Sequence, residues 1–379
     1  MKKIAVVNRT NLRNYGSVLQ VYALCRAVQN IGYEPNVVWE SGTLSKNWDF
    51  RPNKLLHITF KLMTHPRLFW STFNTVRSVN NRVIGPDIVE KYERFVQKHF
   101  SRRFYPAKEL RRIAKTDEYY KFVCGSDQIW SSTTLYVDPL MYLRFAPKEK
   151  RIAYAPSLGR DYIPNYNKRL IRRYINDIPY VSVREEVGRK LIKDLTGRDV
   201  PVVLDPTLLM TKEEWDILKT CDKRSGYVLC YFLDSTSDEV IRKIEEICLQ
   251  DNKTIINIGG PISQSGKVEV VDESAGPSEF LGLIENAAMI FTDSYHGMLF
   301  SIIYQRPFWS IARNYGEFDQ SSRQKTVLSM LSLENRYIDR NNLANVSFEG
   351  IDYDAAYEVL RQKREYSLDY LDKALKAEL

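Results

Sequence analysis

Thr292-Asp293-Ser294-Tyr295-His296-Gly297 decides the reading of this chain, because of what stands on either side of it. The apolar run Ala288-Met289-Ile290-Phe291 precedes it, and the helical pattern Met298-Leu299-Phe300-Ser301-Ile302-Ile303 follows. A short buried run, small polar residues and then a helix form the strand–loop–helix joint of an α/β sheet. Such sheets bind ligands outside the carboxyl ends of their strands. His296 is one of four histidines and the only one at such a joint. An imidazole there can move a proton near neutral pH, beside backbone N–H groups that attract anions.

The same alternation opens the chain. Residues 3–8 read as a buried strand, Asn8 to Gly16 as a polar loop, Val18 to Ile31 as a helix ended by Gly32, and Glu34 to Trp39 as a strand again. This β-loop-α-β unit announces a parallel sheet with crossover helices. Further strands are expected at 120–124, 151–155, 180–184 and 201–204. Val202-Val203-Leu204-Asp205-Pro206-Thr207 ends in a turn, which sets the domain boundary. Beyond it, strands are expected at 227–233, 254–258, 268–271, 288–292 and 307–311, and helices at 237–250, 278–286, 297–304 and 322–332.

The expected fold is therefore α/β, with two Rossmann-like domains facing across a cleft. Residues 1–205 form the first, interrupted by a basic helical insertion at about 41–116, and residues 206–349 form the second. The amphipathic tail 350–379 is expected to pack back on the first domain.

Composition agrees with two cores: 379 residues exceed one ordinary domain, and 44% hydrophobic with 27% charged residues is globular. The net charge of +8 suggests an anionic partner, a phosphorylated substrate or an acidic membrane. Nucleic acid ranks last, since no zinc-finger, basic-zipper or RNP pattern occurs. Cys25, Cys124, Cys221, Cys230 and Cys248 are widely spaced, without C-x-x-C or zinc spacing, and read as reduced thiols. The N-terminus lacks the pattern of a signal peptide and no run has the length of a membrane span. The expected location is the cytoplasm, with the inner membrane face as an open possibility.

Several joints carry candidate chemistry. Asn11-Leu12-Arg13-Asn14-Tyr15-Gly16-Ser17 is an anion or sugar cradle, or an ordinary loop with Ser17 as helix cap. Gly125-Ser126-Asp127-Gln128-Ile129-Trp130 offers three polar side chains for sugar hydroxyls and a ring for stacking, or a cap and a packed tryptophan. Arg184 ends a strand as a fork for carboxylate or phosphate, or pairs with Glu185, Glu186 or Asp205. Asp205 reads as a turn cap. Asp293 is placed to orient the His296 ring or hold it charged. Arg313 and Arg323 are further anion candidates. His57, His65 and His99 read as surface residues. The cationic and apolar stretch Lys54 to Met63, with Leu68-Phe69-Trp70, either packs on its own domain or lies on an anionic membrane.

Together these joints resemble the polysaccharide pyruvyl transferase family. The matching pieces are Asn14-Tyr15-Gly16-Ser17-Val18-Leu19-Gln20, Gly125-Ser126-Asp127-Gln128-Ile129-Trp130, Ser182-Val183-Arg184-Glu185, Leu204-Asp205-Pro206-Thr207-Leu208-Leu209, and Thr292 to Gly297 with Phe300-Ser301. The resemblance implies a glycosyltransferase-B-like fold and transfer of a pyruvyl group from phosphoenolpyruvate to a sugar of a surface polysaccharide, an exopolysaccharide or capsule, or to its lipid-linked precursor. The product would be a cyclic ketal, with phosphate leaving. Phosphoenolpyruvate is a co-substrate in that scheme, and neither metal nor redox cofactor is required.

By resemblance, His296 and Arg184 are catalytic. Asp293, Ser294, Tyr295, Arg313 and Arg323 belong to the donor side, and Asn14, Tyr15, Ser126, Asp127 and Gln128 to the acceptor side. Better-described members carry Arg-Leu-His where this chain has Ser294-Tyr295-His296; either Arg313 or Arg323 replaces the missing arginine or the donor differs. Two other readings compete. A nucleotide-sugar glycosyltransferase would need a phosphate loop, for which only Gly259-Gly260 is available, and a ribose acid such as Glu279 or Glu285. A non-catalytic module would bind an anionic glycan.

Overall fold

A computed structural model describes residues 1–8, 14–39, 51–69, 86–221, 223–234, 236–260, 262, 266–313, 321–339, 343 and 346–378. Asn11 to Arg13, Trp70 and parts of the insertion lie outside them.

Among the described residues the strands form two six-stranded sheets, and every pairing is parallel. The first contains β1 (Lys3–Asn8), β2 (Glu34–Trp39), β3 (Arg102–Arg103), β4 (Lys121–Cys124), β5 (Arg151–Ala153) and β6 (Tyr180–Val181). The second contains β7 (Val228–Tyr231), β8 (Ile255–Asn257), β9 (Val270–Asp272), β10 (Met289–Thr292), β11 (Phe308–Ile311) and β12 (Tyr337–Ile338). The spatial orders are β3-β2-β1-β4-β5-β6 and β12-β11-β10-β7-β8-β9. Counted within its own sheet, each is the order 3-2-1-4-5-6, so the chain is two doubly wound Rossmann-type units.

The helices are α1 (Tyr15–Asn30), α2 (Arg51–Thr64), α3 (Pro86–His99), α4 (Ala107–Ile113), α5 (Asn165–Asn176), α6 (Glu186–Thr196), α7 (Lys212–Asp216), α8 (Asp238–Gln250), α9 (Pro277–Asn286), α10 (Tyr295–Ile303), α11 (Ser322–Met330) and α12 (Asp354–Lys376). α1 is capped by Asn14, whose Oδ1 accepts from the Ser17 amide at 3.2 Å, rather than by Ser17.

Strand alternation splits the core. Ala5 and Val7 enter a cluster confined to the first domain, whereas Ile4 and Val6 share one with Leu229 and Tyr231 of β7. That shared cluster runs through both domains. At its centre Tyr15 stacks on Phe280 of α9, centroids 4.4 Å apart, and meets Tyr231 edge-on at 5.3 Å.

Four expectations change. The insertion contributes a strand, β3, to the sheet edge as well as helices. Residues 201–204 form no strand, only a bridge between Val202 and Val183. α5 and α6 stand where no helix was expected. α12 does not keep to the first domain: the Tyr353 and Tyr357 hydroxyls donate to the Arg306 and Ile302 carbonyls at 2.7 and 3.0 Å. Farther along, Ser367 Oγ accepts from the Leu204 amide at 3.0 Å. Cys25, Cys124, Cys230 and Cys248 are buried and Cys221 is exposed; all five are free thiols.

Candidate active site

In a doubly wound sheet the crevice opens where the strand order reverses. That place is β1/β4 in the first domain and β7/β10 in the second, and the two confront each other. Gly16, just beyond β1, lies so close to His296, just beyond β10, that a Cβ on the glycine would overlap the imidazole.

Asp205, on the segment crossing between domains, gathers the charged groups. Its Oδ2 accepts from Arg184 Nη1 at 2.7 Å and from Ser126 Oγ at 3.2 Å, and stands 3.7 Å from His296 Nε2. Its Oδ1 accepts from the Thr207 amide at 3.0 Å. Burial alone would raise this carboxyl's pKa, but His296, Arg184 and the Thr207 amide hold it well below the usual carboxylate range. Asp205 does cap its turn, as the sequence suggests, and it is also the hub of the site.

Arg184 has no exposed side-chain surface. Its Nη2 reaches Asp127 Oδ1 at 3.2 Å and its Nε lies 3.7 Å from Glu185 Oε2. Burial works against the charged guanidinium, and Tyr295, Asp205, Asp127 and Glu185 more than offset it, so its pKa is raised. Glu185 accepts from Ser157 Oγ at 2.8 Å and from the Leu158 amide at 3.1 Å; its burial keeps its pKa above the ordinary value despite Arg184.

Tyr295 opens α10, with Ser294 as the N-cap accepting from the Gly297 amide at 3.3 Å. Two guanidiniums lie over its ring, Arg184 at 4.6 Å and Arg323 of α11 at 5.6 Å from the centroid. Arg323 is 7% exposed. Arg313 forks onto Asp234 at 2.9 and 2.7 Å, and its Nε lies 3.9 Å from Asp293 Oδ2. Of the two arginines named to replace the one missing at Ser294, Arg323 therefore joins Arg184 over the Tyr295 ring, and Arg313 stands on the Asp293 side of the same loop.

Asp293 does not hold the imidazole. Its carboxylate accepts from the Leu233 and Asp234 amides at 2.6 and 3.0 Å, tying β10 to the loop after β7. The partner of His296 is Asp205.

Asn14, Asp127 and Gln128 line a cleft of about 220 Å³ together with Thr134, Tyr136 and Asp138. Asp127 is 24% exposed there. Burial opposes its ionisation, yet Arg184, His296 and Arg323 keep its pKa below the usual value. Two residues expected on this wall are absent from it. Tyr15 is locked in the interdomain core, its hydroxyl donating to the Ala275 carbonyl at 3.0 Å. Ser126 is fully buried and bonded to Asp205 and to the Ala155 carbonyl. Trp130 packs on Tyr142 with centroids 4.8 Å apart, its indole N–H on the Met141 carbonyl.

The groups named for a nucleotide-sugar site are committed elsewhere. Glu279 accepts from the Gly276 amide at 3.2 Å in the α9 cap, and Glu285 pairs with Lys212 and Lys219 at 3.1 and 2.5 Å. Gly259 presses on the Phe232 backbone. Sequence reasoning missed the hub role of Asp205, the Gly16–His296 contact, and Tyr136 and Asp138. Asp205 and Gly16 carried a signal, as parts of the Leu204-Asp205-Pro206-Thr207 and Asn14-Tyr15-Gly16-Ser17 motifs; Tyr136 and Asp138 carried none.

A family model described as polysaccharide pyruvyl transferase matches residues 14–315. No curated protein matches the chain by sequence. Among solved structures, the chain is similar to the UDP-GlcNAc 2-epimerase of Methanocaldococcus jannaschii in complex with UDP-GlcNAc and UDP, at 14% identity and a TM-score of 0.46, covering 99% of this chain and 93% of that one. It is also similar to MurG of Acinetobacter baumannii, at 10% identity and TM-score 0.42 over 99% and 95% of the two chains. Heptosyltransferase WaaC of E. coli gives 12% identity and TM-score 0.40 over 95% and 99%.

Proposed function

The chain belongs to the polysaccharide pyruvyl transferase family, and we propose that, as a transferase acting on a saccharide, it moves a pyruvyl group from phosphoenolpyruvate to two hydroxyls of that saccharide. The observation that carries this reading is the meeting of His296, Arg184 and Asp205 at the facing switch points, with Asp127 reaching from Arg184 into the neighbouring cleft.

The reaction needs an acid, cations and an acceptor site. His296 protonates the methylene carbon of phosphoenolpyruvate, leaving an oxocarbenium-like centre at C2. One sugar hydroxyl adds there and its proton returns to the His296 imidazole. The C–O bond to phosphate then breaks, the second hydroxyl closes the ketal, and phosphate departs with that hydroxyl's proton. Arg323, with Arg184 behind the Tyr295 ring, offsets the donor's negative charge and stands in for the arginine missing at Ser294.

Asp127 is held as a carboxylate by its cationic neighbours. A carboxylate of low pKa is a weak base, so its part is to orient the attacking hydroxyl as an acceptor. Asn14 and Gln128 complete that wall. The acceptor is a sugar of a surface polysaccharide or its lipid-linked precursor.

The test is phosphate release from phosphoenolpyruvate with galactose-, glucose- and mannose-containing acceptors, run for wild type, Arg184→Ala and His296→Ala. Turnover in wild type alone is expected. Equal turnover in all three removes the assignment. Release of the nucleoside diphosphate from a nucleotide sugar, with no phosphate from phosphoenolpyruvate, transfers the chain to the glycosyltransferase reading.

A further inference from the structure

The sequence of α2 is amphipathic, yet four of its large apolar side chains look outward. A surface helix normally turns its apolar stripe to the core. Here Leu55, Leu56, Phe60 and Met63 are 68%, 68%, 66% and 78% exposed, and Phe69 just beyond is 53% exposed. Lys54, His57 and Lys61 turn inward beside the half-buried Ile58 and Leu62, while Asn53, Thr59 and Thr64 share the exposed side. Lys61 is 3% exposed, its Nζ bonded to Asn167 of α5 and 4.7 Å from the Tyr166 ring centroid. Lys54 and His57 pack on Tyr136, at 5.4 and 5.7 Å from its centroid.

Charge names the occupant of the outward face. Residues 51–69 and 165–176, which pack together here, contain eight Lys and Arg and no Asp or Glu. The chain as a whole has 55 basic and 47 acidic residues, so this concentration is local. Arg67, between Met63 and Phe69 in the chain, and Lys168 and Arg169, next to the Lys61 partner Asn167, are exposed. A second copy of the chain would oppose like charge with like, whereas an anionic headgroup layer over an apolar interior complements both features. Among the described residues no helix is long and apolar enough to cross a membrane, so the contact would be peripheral.

We propose that the outward face of α2 with Phe69 is a docking surface for an anionic lipid bilayer, the apolar side chains entering the interface and the flanking cations meeting the headgroups. Tyr136 links this surface to the chemistry, since the ring that seats Lys54 and His57 also lines the cleft holding Asn14, Asp127 and Gln128. Docking stands independently of the pyruvyl-transfer reading. The corollary rests on that reading: a lipid-linked acceptor would enter the cleft from the membrane side.

The test is co-sedimentation of the full chain with phosphatidylcholine vesicles, with and without phosphatidylglycerol. Two variants accompany it, Leu56→Ser/Phe60→Ser/Met63→Ser and Lys168→Glu/Arg169→Glu, with circular dichroism confirming the fold of each. Wild type should pellet with the anionic vesicles only, and each variant should partition at least tenfold less. Added salt should weaken wild-type binding. Wild type remaining in the supernatant with anionic vesicles overturns the proposal, as does a triple variant that binds like wild type. A concentration-dependent dimer abolished by the triple variant, without vesicle binding, would assign the face to a second copy instead. Because binding is read without turnover, its failure is distinct from failure of the transferase reading.

Discussion

His296 of the second domain rests its imidazole on the backbone of Gly16 of the first, in the space that a side chain on Gly16 would occupy. Gly16 is also the second residue of α1. Within a helix, alanine is ordinarily more stable than glycine by up to about 1 kcal/mol. The contact reverses that expectation. Gly16→Ala should destabilise the protein by about 1–3 kcal/mol, the range of core overpacking, and should displace the imidazole. Thermal unfolding and phosphate release together check it: a stabilised, fully active variant would mean that the ring moves aside without consequence.

Asp205→Asn removes the charge that balances Arg184 and His296 in a buried setting. Breaking such a pair by deleting one partner costs about 3–5 kcal/mol. The folded carboxyl has a depressed pKa, so the stabilisation it supplies is fully present above the ordinary aspartate value of about 3.9 and is lost as pH falls through the lower folded-state value. Urea unfolding across a falling pH series should show the gap between wild type and Asp205→Asn narrowing on acidification. A gap that is constant or widens would contradict the assignment.

Tyr295 meets the guanidiniums through its ring rather than its hydroxyl. Among the described residues its buried hydroxyl has no hydrogen-bond partner, while its face carries Arg184 and Arg323. Tyr295→Phe should keep turnover within about threefold. Tyr295→Leu should lose about 1–2 kcal/mol of stability through the cation–π contacts, with a larger fall in kcat/KM. Equal losses in both variants would give the hydroxyl a role.

Arg323→Ala should raise KM for phosphoenolpyruvate about tenfold or more, equivalent to about 1.4 kcal/mol of donor binding. Arg313→Ala opens the fork to Asp234 and should act mainly on the unfolding temperature. Titration of phosphoenolpyruvate against each variant separates the two; the opposite ranking would move the donor to the Asp234 side.

The fold was legible where apolar runs were short and bounded by small polar residues. β1, β7 and β10 lie in sheet centres, buried on both faces, and their continuous runs announce them. Residues 102–103 and 337–338 are two-residue edge strands, too short to carry a period. α6 contains Gly188 and three lysines or arginines, and α5 is arginine-rich with a thin buried line through Asn167, Ile171 and Ile175; the apolar pairs at helical spacing, Leu191 with Leu195 and Ile171 with Ile175, are short and set among charges.

The site was legible to the level of which loops meet. Side-chain direction was not, because Tyr15 and Asn14 are adjacent in sequence yet one enters the interdomain core and the other lines the cleft. Likewise, Asp293 and Asp205 both follow strand-like runs. Only the three-dimensional path of the crossing segment brings Asp205, rather than the nearer Asp293, to the imidazole. For α2 the sequence left two readings open, packed on its domain or facing outward, since amphipathicity does not say which side chains look out.

The stacking of Tyr15 on Phe280 bears on how the enzyme admits its substrates. Separating the two halves would expose a continuous aromatic seam to water, a cost that falls on every opening event. The protein should therefore melt in one calorimetric transition, with neither half persisting alone, and should show little change in small-angle scattering radius on binding ligand. Access to the reacting groups would come through rearranged loops and side chains at the rim, in contrast to a clamshell that swings about a hinge.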